Sequence, residues 1–427
     1  MPGSIIKVWI HIFGLLSTAT LGISRTFVSI GNISQPYTIT QVKNPHWSPK
    51  KVHVAELLAA PFRKHRIPMP KALQIAVDDV EANSTATGSV RRANGQSVAG
   101  SSGQFVFPVR IGTPSQTLYL LFDTGSGDFW VWSWLMPKAL TSGRNIYVGT
   151  NSSSSAATRT QSFSVNYASG SAYGVVWNDD VWIDGNGGVS IGVLDNPVEC
   201  AQNVGGVTLP ALTAVDGLFG LNLWVNDSEA PIPQQTWFSY VAPSLAAPIF
   251  TVCLVQNGIG TMDFGFIDSS KYTGSIAYTP VATLASWPGS GYWLFNWSGF
   301  AIGTHAFNST SIQILTDTGV NLINLPESIA TSYYAQVKGS YMSDGGWAFP
   351  CAAILPTFTF GIGSSRFVVK AKHMIFVGLD DGTNCIGAIQ PTDENSFAIF
   401  GVPWISALFL VHDYGKKRMG FAARVSD

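Results

Sequence analysis

The chain has 427 residues, 46% of them hydrophobic and 12% aromatic but only 11% charged, against roughly 25% charged in an average soluble protein. At roughly 100–200 residues per domain, that length predicts two or three domains with a large core. A net charge of −1 without a basic, aromatic-interleaved stripe argues against a nucleic-acid partner, and four scattered Cys exclude both a disulfide-dense mini-protein and a Cys-x-x-Cys zinc site.

In chain order, Lys7 precedes a short apolar run that small residues (Ser17, Ala19, Gly22) close. That is the layout of a secretory signal peptide, expected over 1–22. Lys7 and His11 leave too few uninterrupted apolar residues for a membrane anchor. The C-terminus has no hydrophobic tail for a lipid anchor, so the product is expected to be secreted and extracellular. A basic propeptide is expected over 23–92. Arg25 to Arg92 holds ten Lys/Arg against four Asp/Glu, whereas Ala93 to the end holds 13 against 21. A basic leader on an acidic body predicts either an electrostatically docked prosegment that acid loosens or a basic face with no inhibitory role. Arg91-Arg92, among Asn, Ser, Thr and Gly, reads as an exposed processing site. Sequons at Asn32, Asn83, Asn151, Asn226, Asn296 and Asn308 fit a secretory route and a glycoprotein.

The body carries an internal repeat. Asp123-Thr124-Gly125-Ser126 follows the strand-like run 117–122, and Asp317-Thr318-Gly319-Val320 follows 311–316. Each has a downstream apolar-apolar-Gly partner, Leu218-Phe219-Gly220 and Ile399-Phe400-Gly401. One Asp-Thr-Gly is a common turn; two copies with matching partners are specific. Two carboxylates held at hydrogen-bond distance share one proton. The ionised one takes a proton from water while the other polarises a carbonyl, which is general acid–base hydrolysis of an amide without metal or cofactor. Glycine after each Asp-Thr allows the two loops to approach closely.

From about Gly103 onward the chain resembles the pepsin family of aspartic proteases, and its leader resembles fungal prosegments. The resemblance rests on residues 105–131 with Gly112-Thr113-Pro114, on Tyr167-Ala168-Ser169-Gly170 and the run to Gly174, on 215–221, and on 398–413. It implies an all-β, bilobal pepsin-like fold with the active-site cleft between the lobes, an N-terminal lobe over 93–277 and a C-terminal lobe over 278–427. Asp123 and Asp317 would be the catalytic dyad, supported by Thr124, Gly125, Ser126, Thr318 and Gly319. The two threonines would cross-brace the loops, and Ser126 would donate to Asp123. Tyr167, Ala168, Ser169 and Gly170 would form a flap over the substrate, with the Trp130 indole holding the Tyr167 hydroxyl. Cys351 and Cys385 would form a disulfide. Lys64, before His65, resembles the prosegment lysine that sits between the catalytic carboxylates. The implied partners are a peptide or protein substrate, the chain's own propeptide and pepstatin as inhibitors, and no nucleic acid or membrane; a monomer is expected. A non-catalytic binding or inhibitor protein on the same fold, and a carbohydrate-binding β-sandwich, are the rival readings.

The chain departs from the family pattern in places. Val320 stands where a hydroxyl residue usually follows the second Asp-Thr-Gly, and Val402 where an acid usually follows the second apolar-apolar-Gly. Losing a donor raises a carboxyl pKa and losing an acid lowers it; a near-neutral family member shares both changes, so an optimum less acidic than pepsin's is expected. Neutral Ser169, where fungal members often carry Asp, predicts bulky apolar residues beside the scissile bond. Leu218, Phe219 and Ile399 are expected as pocket walls. Cys200 and Cys253 are either bonded or two buried thiols. Asp179, Asp180, Asp380 and Asp381 read as turn acids, and the histidines as surface or core fillers without ligand spacing.

Overall fold

The computed structural model describes residues 36–46, 52–83, 92–93, 105–167, 170–205, 215–223, 228–256, 258–284 and 291–426. Within them β-structure dominates, in three principal sheets. The first half builds a nine-stranded sheet that includes the strands Phe105–Ile111, Gln116–Asp123, Phe129–Trp132, Ala156–Tyr167, Gly170–Asp184, Ser190–Gly205 and Gly217–Gly220. The second half builds a five-stranded sheet from Leu294–Asn296, Gln313–Thr316, Ala398–Phe400, Ile323–Pro326 and Ile389–Thr392. A six-stranded sheet joins the halves. It pairs Ile249–Cys253 with Leu408–Asp413 and places Tyr37–Thr40, from the leader, on its edge against Thr261–Phe264. The expected lobe boundary at 277/278 falls inside the strand at its opposite edge, Tyr272–Pro280. The Trp293 indole N–H also donates across the halves to the Leu221 carbonyl at 2.8 Å.

Strand alternation decides which face each side chain takes. Phe219 is fully buried and stacks on Phe122 at 4.4 Å between ring centroids, inside the main core. It is therefore a core residue and not the pocket wall expected of it. Its neighbour Leu218 faces the other way, into a cluster with Trp130 and Ala172. Asp179 is likewise no turn acid: it lies within the strand Gly170–Asp184, fully buried, and accepts from Tyr147 and Ser154 hydroxyls, each at 2.6 Å. Asp180 lies in the same strand, whereas Asp380 and Asp381 occupy a turn. Among the filler histidines, His412 is buried flat on Phe250 at 4.4 Å.

The leader folds into two helices, α1 (Val54–His65) and α2 (Lys71–Asn83). In α1 the residues Val54, Ala55, Leu58, Ala59 and Phe62 recur at helical spacing and form one buried apolar face. That face packs on Val320, Leu322, Ala348, Ile386 and Ile399, with Leu73, Val77 and Val80 of α2 in the same cluster. Full burial of a large apolar side chain stabilises by roughly 1.5–3 kcal/mol, so these contacts contribute substantially to the docking. The expected basic-on-acidic docking is met at one point only, where Lys64 pairs with Asp123 and Asp317; Arg63 is spent inside the leader, on Glu56 at 2.7 Å and Glu81 at 3.3 Å. Helix α1 ends where Arg66 turns into the left-handed region at φ 53°. The signal-peptide span 1–22 and Arg91 lie outside the described residues, and Arg92 pairs in a two-residue strand with His53.

A disulfide joins Cys351 to Cys385, whose Cα atoms are 5.0 Å apart. Cys200 and Cys253 are two separate buried thiols, which settles the alternative left open above. No described helix is long and apolar enough to cross a membrane.

Candidate active site

The two Asp-Thr-Gly loops are built alike. The strand ending in Asp123 runs parallel to Gly217–Gly220, with Phe122 beside Phe219 and Asp123 beside Gly220. The strand leading to Asp317 runs parallel to Ala398–Phe400, with Leu315 beside Ile399 and Thr316 beside Phe400. Glycine closes both partner motifs because the backbones nearly touch: a Cβ would meet the Gly127 carbonyl carbon at 2.4 Å from Gly220, and the Val320 oxygen at 2.3 Å from Gly401.

The threonines lock loop to loop. Thr318 Oγ1 donates to the Phe122 carbonyl at 2.7 Å and accepts from the Thr124 amide at 2.9 Å. Thr124 Oγ1 returns the arrangement, donating to the Thr316 carbonyl at 3.0 Å and accepting from the Thr318 amide at 3.1 Å. Four buried backbone groups are thus satisfied by two hydroxyls, which rigidifies the pair. A Cβ on Gly125 would lie 2.3 Å from the Asp317 carboxyl carbon, and one on Gly319 would lie 2.6 Å from Asp123 Oδ1. Both glycines are therefore dictated by close approach.

Asp123 and Asp317 are fully buried. Each has its inner oxygen anchored by a loop amide, Gly125 N to Asp123 Oδ1 at 2.9 Å and Gly319 N to Asp317 Oδ1 at 2.7 Å. Lys64, near the end of α1, donates from Nζ to those same two oxygens at 2.8 and 2.9 Å. Its side chain is only 6% exposed, so it is no solvated surface lysine.

The outer oxygens differ. Ser126 Oγ donates to Asp123 Oδ2 at 2.6 Å, but the Val320 side chain has no donor for the Asp317 carboxylate, and the His65 Nε2 fills that place on Asp317 Oδ2 at 2.7 Å. His65 Nδ1 stands 3.2 Å from the Tyr292 hydroxyl. A neutral ring that donates to Asp317 and accepts from Tyr292 has both nitrogens satisfied. Neither His65 nor Tyr292 was singled out from sequence. His65 follows Lys64 directly, which was the available signal; Tyr292 had none.

The electrostatics follow from burial and from these partners. Burial pushes both carboxyls upward. At Asp317 the Lys64 charge and the His65 bond outweigh it, holding that carboxyl well below the ordinary range. At Asp123 burial prevails over Lys64, helped by the charge of Asp317, and the carboxyl is raised. Burial lowers His65 despite the pull of Asp317. For Lys64 burial also works against the charge, but Asp123 and Asp317 overcome it and raise the ammonium.

The remaining expected site residues are placed as follows. Tyr167 and Gly170 pair across the tip of the hairpin formed by Ala156–Tyr167 and Gly170–Asp184. Ala168 and Ser169, the side chain of Tyr167, and hence the expected bond from Trp130 lie outside the described residues. Trp130 itself is fully buried. Val402 is buried in the main core and its amide donates to the Val320 carbonyl at 2.8 Å. Among the described residues no group of three or more His, Cys, Asp and Glu side chains is arranged to hold a metal.

Residues 104–424 match the family model described as eukaryotic aspartyl protease. The chain is 35% identical over 397 residues to endothiapepsin from Cryphonectria parasitica, covering 91% of this chain and 90% of that one. It is 35% identical over 418 residues to penicillopepsin-3 from Penicillium janthinellum, covering 96% and 99%. It is 37% identical over 401 residues to aspergillopepsin-1 from Aspergillus oryzae, covering 92% and 96%. In fold it is similar to the aspartic proteinase from Irpex lacteus, with a TM-score of 0.62 at 23% identity, over 77% of this chain and 96% of that one. With a bilobal, mostly β pepsin-like fold and relatives of this kind along nearly its whole length, the chain belongs to the eukaryotic aspartyl protease family and is an aspartic-type endopeptidase.

Proposed function

We propose that the protein is a secreted endopeptidase, made as a zymogen, in which Asp123 and Asp317 activate water against a peptide bond. The observation that carries this reading is the position of Lys64, one ammonium within 2.9 Å of an oxygen on each carboxylate. A water molecule of similar hydrogen-bonding reach fits that point once the lysine leaves. The dyad then shares a single proton. The ionised carboxylate takes a proton from the water as it attacks, and the protonated one donates to the carbonyl oxygen, giving a tetrahedral diol; return of a proton to the leaving nitrogen cleaves the bond. The threonine cross-brace would hold both carboxylates through these transfers.

In this reading the leader, residues 23–92, is the inhibitory segment, with α1 lying in the substrate cleft and Lys64 and His65 occupying the dyad. Substrate would replace it as an extended strand, bonded through its backbone. The flap around Tyr167 to Gly170 would close over that strand and, with neutral Ser169, favour bulky apolar residues beside the scissile bond. The optimum would be less acidic than pepsin's.

The test is cleavage of denatured haemoglobin by acid-processed protein across pH 2.5–6.5, with and without pepstatin. Pepstatin-sensitive cleavage that falls by at least about 10²-fold in both Asp123→Asn and Asp317→Asn is expected. Folded, processed protein that cleaves nothing at any pH would overturn the reading.

A further inference from the structure

Asn324 lies on the strand Ile323–Pro326 of the five-stranded sheet, seven residues after Asp317 in the chain. Its side chain is fully buried, and neither its amide oxygen nor its amide nitrogen has a partner among the described residues. The sheet register sets it directly beside Ile399 on one strand and Gln390 on the other, so the three side chains share a face. That face looks towards α1: Leu322 and Ile399 pack in the cluster that contains Leu58 and Phe62, while Ile323 and Leu325 point into the main core. Gln390 is spent on backbone groups, accepting from the Trp347 amide at 2.8 Å and donating to the Gly387 and Trp347 carbonyls at 2.8 and 3.1 Å. A second orphan, the Thr392 hydroxyl, stands on the same face two residues beyond Gln390.

An unpaired amide under an apolar helix face is costly, whereas a leucine there would bury without penalty. The cost disappears when the covering group itself offers a hydrogen bond. We propose that Asn324 turns one substrate pocket, on the Asp317 side of the cleft, into a hydrogen-bonding pocket that selects an uncharged side chain bearing an amide or a hydroxyl. This rests on the reading that α1 leaves the cleft and a peptide takes its place. The walls decide against a charged occupant: Val320, Leu322 and Ile399 supply no counter-charge, and an ion buried among them would stay uncompensated. The same orphan weakens the docked state of α1, because the helix meets this face with an apolar side that leaves the amide unbonded, and so favours exchange of the helix for a substrate that bonds it.

The test compares processed wild-type enzyme on peptides that differ at one position only, in the near-isosteric pairs Gln against Met and Thr against Val. At one position kcat/KM is expected to favour the polar member by about tenfold or more, since the apolar member leaves the amide unpaired. Asn324→Leu is expected to reverse that ratio at that position alone, and Asn324→Asp to shift it towards Lys. In the unprocessed chain, Asn324→Leu is expected to slow acid release of the leader. Wild-type enzyme that cleaves but prefers the apolar member at every position overturns the proposal even if neither variant folds. Cleavage of none of the peptides would sink the peptidase reading and this proposal with it.

Discussion

The two Asp-Thr-Gly loops share a backbone and differ in one oxygen. Both carboxylates are fully buried, both take an amide two residues on, and both share Lys64. Yet Asp123 receives its outer hydrogen bond from its own loop, through Ser126, and Asp317 receives it from α1, through His65. The repeat therefore supplies the symmetric part of the site, and the leader completes the half in which Val320 stands in the hydroxyl position. Without α1 both carboxylates would lose Lys64, but Asp123 would keep Ser126 on its outer oxygen while Asp317 would lose His65 from its own.

Substitution of Lys64 strikes the symmetric part hardest. Lys64→Met leaves two buried carboxylates without their shared cation, and breaking a buried ion pair on one side costs about 3–5 kcal/mol. Limited proteolysis of the unprocessed protein at neutral pH should show the segment 54–83 exposed, where the wild-type segment resists. A segment that stays equally protected would mean that the apolar face of α1 alone holds the leader. Next comes the cross-brace. Thr318→Val unpairs the Phe122 carbonyl and the Thr124 amide, at about 1–3 kcal/mol for each buried group left unsatisfied. Thr124→Val unpairs the mirror-related pair, so calorimetric Tm losses of equal size are expected; a clear inequality would break the two-fold picture.

How much of this was legible in the sequence follows from the range of each interaction. Asp123 and Asp317, the glycines and threonines beside them and Ser126 lie within short motifs, and repetition made their pairing in space readable. Phe219 was misassigned because two adjacent strand residues take opposite faces, and the motif alone does not say which face lines the cleft. Asp179 was misread because its partners, Tyr147 and Ser154, lie 32 and 25 residues away. His65 meets Asp317 across 252 residues and Tyr292 across 227. Asn324 becomes conspicuous only when the neighbouring strands show that nothing answers it. The charge contrast between leader and body was real, but the docking face it pointed to is apolar apart from the contacts at the dyad.

His65 tests the asymmetric part through pH. Facing it are Asp317, Tyr292, Lys64 and Asp123, with the Phe397 ring edge-on at 6.1 Å. Released into water, an imidazole binds its proton near pH 6.5. Docked, burial keeps His65 below that. The docked state thus holds fewer protons, and its stability from this group is complete above about pH 6.5 and is lost as pH falls, by up to about tenfold in the docking equilibrium per pH unit. His65→Gln retains a neutral donor but no titration. The logarithm of the leader-removal rate, plotted against pH between 5 and 6.5, should therefore lose a slope of about one proton. An unchanged slope would assign the acid sensitivity to the dyad alone.

The smallest expected effect restores the missing symmetry. Val320→Thr keeps the side-chain shape and puts a hydroxyl where Ser126 stands in the other loop. In the processed enzyme that hydroxyl would donate to Asp317 and stabilise its ionised form, so the acid limb of the kcat/KM profile should move down by up to about one pH unit. In the unprocessed chain the same hydroxyl would compete with the His65 Nε2 for Asp317 Oδ2 and place a polar atom against α1, in the cluster where Val320 is now only 4% exposed. Leader release should then begin at a less acidic pH. The two shifts run in opposite directions from one substitution, which a general loss of packing would not produce. If neither limb nor release moves, the difference between Ser126 and Val320 has no bearing on how the two carboxylates divide their proton.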